Sequence, residues 1–267
     1  MLRSILVALD DTPGAAAARD LAFDLARRKG ARVTGLLVLD RPHTLDSHEP
    51  VPLGAGVFAA RRNAALAAAV EAEAVRVLDE ARAAAHGIAF TVARSEAAPE
   101  PALLAEGAAH DLVVIGRDST LGREDTEDGL SPTIEALIRD GARPLLVVPP
   151  APARGGPVLV VQEATLPSQR TLQLFLLLGL AGEASVRLLS FAPADAEAMA
   201  GYFLAHGVAV EPVRQAGPHA DAVLAEAADA SLLVIGAGEE GGLRRLVFGS
   251  ETGRLLRAAT CPVFIHG

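Results

Sequence analysis

Short, nearly unbroken apolar runs alternate along the chain with longer stretches whose apolar residues recur at helical spacing. Residues 2–9 read Leu-Arg-Ser-Ile-Leu-Val-Ala-Leu, the pattern of a strand covered on both faces. Asp11-Thr12-Pro13 follows. Thr12 suits a helix N-cap, and Pro13 the first turn, where a missing N–H costs nothing. The helical pattern runs to Lys29 and ends at Gly30, where a left-handed residue is wanted. The alternation then continues with a strand over 33–39 and a long Ala-rich helix over 61–86, closed by Gly87. After these come a strand over 88–94, a helix over 101–110 and a strand over 112–115 that runs into Gly116. A helix over 132–140 with Ser131 as its cap, and a strand over 145–148, complete this part.

Residues 149–157 carry four prolines and two glycines, too many for regular structure, and of a composition that makes a stiff linker. The same alternation then begins again. Strands are predicted over 158–161, 186–189, 208–213, 232–235 and 263–265. Helices are predicted over 167–181, 194–205, 219–229 and 250–259. Leu104-Ala-Glu-Gly-Ala108 matches Leu224-Ala-Glu-Ala-Ala228, and Val114-Ile-Gly116 matches Val234-Ile-Gly236, both at an offset of 120 residues. Near the start the offset is 153, pairing Asp10 with Glu163, so the first copy carries 33 extra residues, mostly at 40–60 and in the helix after them. Alternating strands and helices imply right-handed crossovers and parallel sheets. The predicted fold is two tandem five-stranded parallel-sheet α/β/α domains, Rossmann-like, over 1–149 and 157–267, with 150–156 between them. The short apolar fifth strands would leave exposed edges.

Composition narrows the function. Aromatic residues are 3% of the chain and hydrophobic residues 51%, so the cores are built from Leu, Val, Ile and Ala. The net charge is −9 and both halves are acidic, which disfavours nucleic acid and anionic membranes as partners. The single cysteine, Cys261, lies in an apolar run and reads as a small buried hydrophobe. No apolar run reaches the ~20 residues of a membrane span, and the N-terminal stretch lacks the shape of an export signal; the expected location is the cytoplasm. The Asp40, His43, Asp46, His48 and Glu49 cluster reads as a polar surface loop rather than a metal site. Gly-x-Ser-x-Gly, Gly-Lys-Ser/Thr and Cys-x-x-Cys are all absent from the sequence, so no catalytic centre is predicted.

Ligands of open parallel sheets sit at the carboxyl ends of the strands, where strand order reverses. If strands one and four are neighbours, one crevice lies between Asp10 and Gly116 and another between Glu163 and Gly236. In the second copy Gly236, Gly238, Gly241, Gly242 and Gly249 let backbone approach a ligand, and Gly249-Ser250 opens a helix, the arrangement that favours phosphate. Gly236, Gly249 and Ser250, with Gly242-Leu243, Cys261-Pro262-Val263 and the opening Ile5-Leu-Val-Ala-Leu-Asp10, resemble the universal stress proteins over nearly the whole chain. The resemblance implies binding of ATP or a related adenine nucleotide; Mg²⁺ is the cation such a ligand would bring, and no ligand geometry for it is read from the sequence. Asp10 would reach the nucleoside, and Gly236, Gly238, Gly242, Gly249 and Ser250 would cradle the phosphates. It also implies packing of the two copies as an intrachain pseudo-dimer through their fifth strands, and a homodimer as a further assembly.

Three acidic residues depart from the family pattern: Glu239 at the second loop glycine, Glu251 after Ser250, and Glu163 for the Asp. The first copy keeps Asp10 but replaces the loop with Arg117-Asp-Ser119 and the acids Glu124, Asp125, Glu127 and Asp128. Carboxylates beside a phosphate oppose its binding. Two readings therefore stay open: a non-catalytic, nucleotide-responsive stress protein, and a degenerate member acting as a dimerisation and interaction module. A nucleotide-using enzyme of related architecture is the third, disfavoured because no Ser-Gly-Gly loop follows the first strand.

Overall fold

The computed structural model describes residues 1–39, 56–122, 128–153, 155–191, 193–214, 219–237 and 251–267. The first half contains β1 (Ser4–Leu9), α1 (Pro13–Lys29), β2 (Arg32–Val38), α2 (Gly56–Ala84) and β3 (Phe90–Ser95). It continues with α3 (Pro99–Gly107), β4 (Leu112–Gly116), α4 (Pro132–Asp140) and β5 (Leu145–Val148). The second half contains β6 (Val158–Gln162), α5 (Leu166–Leu178), β7 (Val186–Ser190), α6 (Pro193–Ala205) and β8 (Val210–Arg214). Then come α7 (His219–Ala227), β9 (Leu232–Gly236), α8 (Glu251–Ala258) and β10 (Val263–His266).

Local chemistry sets most boundaries. Thr12 caps α1, its side chain accepting from the Ala15 N–H, and Gly30 closes it at φ 65°. Thr165 caps α5 in the same way through Ser168 N–H. That helix stops at Leu178, short of the predicted 181, because Gly179 turns left-handed at φ 69°. Ser131 stands at the N-cap of α4, but its side chain makes no capping bond; the backbone there is tied instead by its N–H to the Arg117 carbonyl at 2.8 Å.

Among the described residues the ten strands form one sheet in the order β3-β2-β1-β4-β5-β10-β9-β6-β7-β8. Each half is parallel and has the order 3-2-1-4-5, with the first and fourth strands paired, the condition on which the two crevices rest. The two five-stranded sheets are not separate. β5 and β10 pair antiparallel, with Val263 opposite Val147, Phe264 opposite Leu146 and Ile265 opposite Leu145. The pairing satisfies the backbone of two short apolar edges that would otherwise be open.

Helices cover both faces. On one, α1, α2, α5 and α6 bury Phe23, Val77, Phe175 and Phe203 together with Phe264 of β10. On the other, α3, α4, α7 and α8 bury Leu103, Ile134, Val223 and Leu255. Both cores run across the junction. The N-terminus adds a further tie between the halves: the Met1 ammonium donates to the Leu177 carbonyl at the end of α5, and Leu2 N–H donates to the Leu178 carbonyl at 3.3 Å. Positive charge at a helix C-terminus is favourable. Among the described residues no helix is long and apolar enough to cross a membrane.

Candidate functional site

β1 and β4 run side by side, Val7 opposite Val114, and bring Asp10 and Gly116 to the same end of the sheet. The end of β4 lies hard against the first turn of α1: a Cβ on Gly116 would stand 2.4 Å from both Ala15 N and the Gly14 carbonyl carbon. The second half repeats this contact. A Cβ on Gly236 would stand 2.4 Å from the N and Cα of Ser168, and Ser168 is the counterpart of Ala15 at the offset of 153. The glycine ending each fourth strand is thus required by close approach of backbone to backbone.

In the first half the crevice is filled by the chain itself. Asp10 Oδ1 accepts from the Thr12 N–H at 2.9 Å and the Thr12 hydroxyl at 2.6 Å. Its Oδ2 accepts from the Leu121 N–H at 3.0 Å. Leu121 reaches this position with φ 53°, a costly conformation for a branched side chain, and its side chain is buried. Burial pushes the Asp10 carboxyl above its ordinary value, against the lowering effect of the bonds from Thr12 and Leu121. Asp118 takes the N-terminus of α1: its Oδ2 accepts from the Gly14 N–H at 3.4 Å. A carboxylate therefore stands where that helix end would favour an anion. Asp118 Oδ1 is buried with no hydrogen-bond partner among the described residues.

The same loop bridges the halves. Arg117 Nη1 donates to the carbonyls of Arg257 at 2.7 Å and Ala259 at 2.9 Å, and more weakly to Leu256 at 3.5 Å. It caps the C-terminus of α8, and burial lowers its pKa. Arg257 in turn grips Asp128 through Nε at 2.8 Å and Nη2 at 2.7 Å. Sequence reasoning missed Arg117, Asp118 and Leu121 as site residues. The signal for the first two was their place directly after Gly116; for Leu121 there was none beyond an apolar residue in a polar loop.

In the second half Glu163 follows β6, its backbone N–H bonded to Ser168 Oγ at 3.1 Å, and Gly236 ends β9. Gly238, Gly242, Gly249 and Ser250, with Glu239, lie outside the described residues. So do Glu124, Asp125 and Glu127, and the cluster of Asp40, His43, Asp46, His48 and Glu49. The structure thus brings Asp10 to Gly116 across the first crevice and packs Gly236 on the start of α5. Of the residues expected to cradle phosphates it describes Gly236 alone. Among the described residues no group of three or more His, Cys, Asp or Glu is gathered to hold a metal. Cys261 is fully buried, and burial pushes its thiol up to about 11.

The universal stress protein family model matches residues 1–149 and 183–266. The chain belongs to the universal stress protein family. Among solved structures, a universal stress protein from Archaeoglobus fulgidus aligns with a TM-score of 0.70 at 15% identity, covering 98% of this chain and 97% of its own. A functionally unknown protein from Pseudomonas aeruginosa aligns at 0.59 and 17% identity, covering 99% of this chain and 92% of its own. At these identities the likeness shows the tandem universal stress protein fold. No curated protein matches the chain.

Proposed function

We propose that this chain is a non-catalytic universal stress protein of the cytoplasm that binds one adenine nucleotide, ATP with Mg²⁺, in its second half, while its first half binds none. The observation that carries the asymmetry is the engagement of Asp10. Both its carboxylate oxygens are taken by the chain's own Thr12 and Leu121. Asp118 holds the adjoining helix end. A nucleoside entering there would have to displace a buried leucine, and its phosphates would meet a carboxylate. The second half has Ala237 in place of Arg117 and retains the family's Gly236, Gly249 and Ser250. Gly238 and Gly242 would add flexible backbone, and Glu163 would take the nucleoside-side position of Asp10.

The closed first crevice also favours a second reading, in which the chain is an interaction module alone. Its fifth-strand edges are already used within the chain, so a homodimer would need another surface. Thermal unfolding with and without millimolar Mg-ATP separates the readings. At a ligand concentration 100 times Kd, binding adds about 2.7 kcal/mol of stability. A raised Tm with ATP recovered intact supports the proposal. An unchanged Tm supports the interaction module, and release of ADP would make the chain an enzyme.

A further inference from the structure

The second half carries a buried amide where its own repeat carries a leucine. Gln162 ends β6 and is 5% exposed; its counterpart at the offset of 153 is Leu9, 2% exposed in the core. Gln162 Nε2 donates to the Glu163 carbonyl at 3.3 Å. Its Oε1 is buried and meets no hydrogen-bond partner among the described residues. Turning the amide over would set its oxygen against that carbonyl. A buried acceptor left unmatched destabilises a fold, whereas leucine at the same place does not.

Gln162 lines a cavity of about 280 Å³ between α5 and α6, together with Ala164, Gln169, Gln173, Met199 and Tyr202. In the first half the corresponding space is crossed by an ion pair between Asp11 and Arg76 at 3.7 Å. Arg76 comes from a helix of 29 residues, and α6 has 13. Ala164 replaces Asp11 at the offset of 153, so the crossing pair has lost its acid. Successive strand residues face opposite sides of a sheet. Gln162 accordingly belongs to the α5–α6 side with Val158 and Val160, whereas Asp10, the counterpart of Glu163, is bonded by Leu121 of the opposite core; by that repeat the crevice between Glu163 and Gly236 lies across the sheet from this cavity.

None of the described lining residues is charged. Three amides, one ring and one thioether supply hydrogen bonds and an apolar, polarisable wall, without a cation to neutralise phosphate. We propose that this cavity binds an uncharged planar heterocycle of nucleobase size whose N–H donates to Gln162 Oε1 and whose ring packs on Tyr202 and Met199.

Saturation-transfer NMR on the full chain tests this with uracil, thymine, hypoxanthine and nicotinamide as probes, and with 1,3-dimethyluracil, which has no N–H. The proposal expects transfer to at least one N–H ring and none to the dimethyl compound. It expects roughly tenfold weaker binding, the worth of one hydrogen bond, in Gln162→Leu, which copies Leu9 and holds or raises Tm. Tyr202→Ala, altering a partly buried ring, should weaken binding as well. Saturating Mg-ATP should leave the signal in place, whether or not ATP itself binds. Absence of transfer from all four rings, equal binding by Gln162→Leu and Tyr202→Ala, or displacement by Mg-ATP would overturn it.

Discussion

The backbone N–H of Leu121 donates to Oδ2 of Asp10 at 3.0 Å from a left-handed conformation with φ 53°. A residue at the end of the first strand is thereby tied to a loop 111 residues further along the chain, and the first crevice is shut by that tie. Asp10→Asn keeps the shape of the side chain but places an NH₂ against one of the N–H donors. The expected loss is about 1–3 kcal/mol at neutral pH, read from urea unfolding.

The same residue gives a pH signature. Its carboxyl is raised from 3.8 by burial, so the folded state holds this proton more tightly than the unfolded chain does. Its contribution to stability is full below the unfolded value and is lost as pH rises through the folded one. Asparagine does not titrate. The stability advantage of the wild type over Asp10→Asn should therefore shrink as pH is raised above 4, checked by urea melts of both proteins at matched pH values. An advantage that grows over that range would contradict the assignment.

Arg117 should matter to the union of the halves more than to either alone. Its guanidinium caps three carbonyls at the end of α8, and charged hydrogen bonds of this kind are worth about 1.5–3 kcal/mol. Arg117→Ala is expected to lower stability by about 2–3 kcal/mol. Hydrogen exchange should rise at the C-terminus of α8, while β2 and β7, away from the junction, keep their protection.

Gly116 and Gly236 should fail alike. At each, an added Cβ would meet backbone atoms at 2.4 Å, and backbone yields less readily than a side-chain tip. Gly116→Ala and Gly236→Ala are each expected to cost about 2–3 kcal/mol, the upper part of the range for overpacking. Denaturant midpoints of the two variants give the comparison. Similar losses would show the duplicated contact acting alike in both halves.

Cys261 is predicted to be chemically silent. Its side chain is fully buried and its thiol is pushed up to about 11, so little thiolate exists at neutral pH. Ellman's reagent should react with it only on unfolding; prompt reaction of the native protein would contradict the burial.

The alternation of elements was legible because each strand is a short apolar run and each cap a local motif: Thr12 before Pro13, Gly30 after Lys29. The neighbouring of the first and fourth strands entered only as a condition, which the structure meets, and the Val114-Ile-Gly116 and Val234-Ile-Gly236 repeats marked the ends of the fourth strands. The closure of the first crevice was not legible. It depends on Leu121 adopting a conformation its residue type disfavours, held by a carboxylate distant in sequence, and no local pattern reports such a bond. Ser131 shows the converse: a residue suited to capping whose side chain is not used because Arg117 fixes the backbone there. Gln162 lies one residue past the strand predicted over 158–161; only its burial, beside Leu9 at the matching position, set it apart.

The asymmetry between the halves is tested most directly by the number of ATP molecules retained per chain in equilibrium dialysis with saturating Mg-ATP. One per chain, abolished by Gly249→Val, is the predicted result. Two per chain, none, or one that survives Gly249→Val would contradict it.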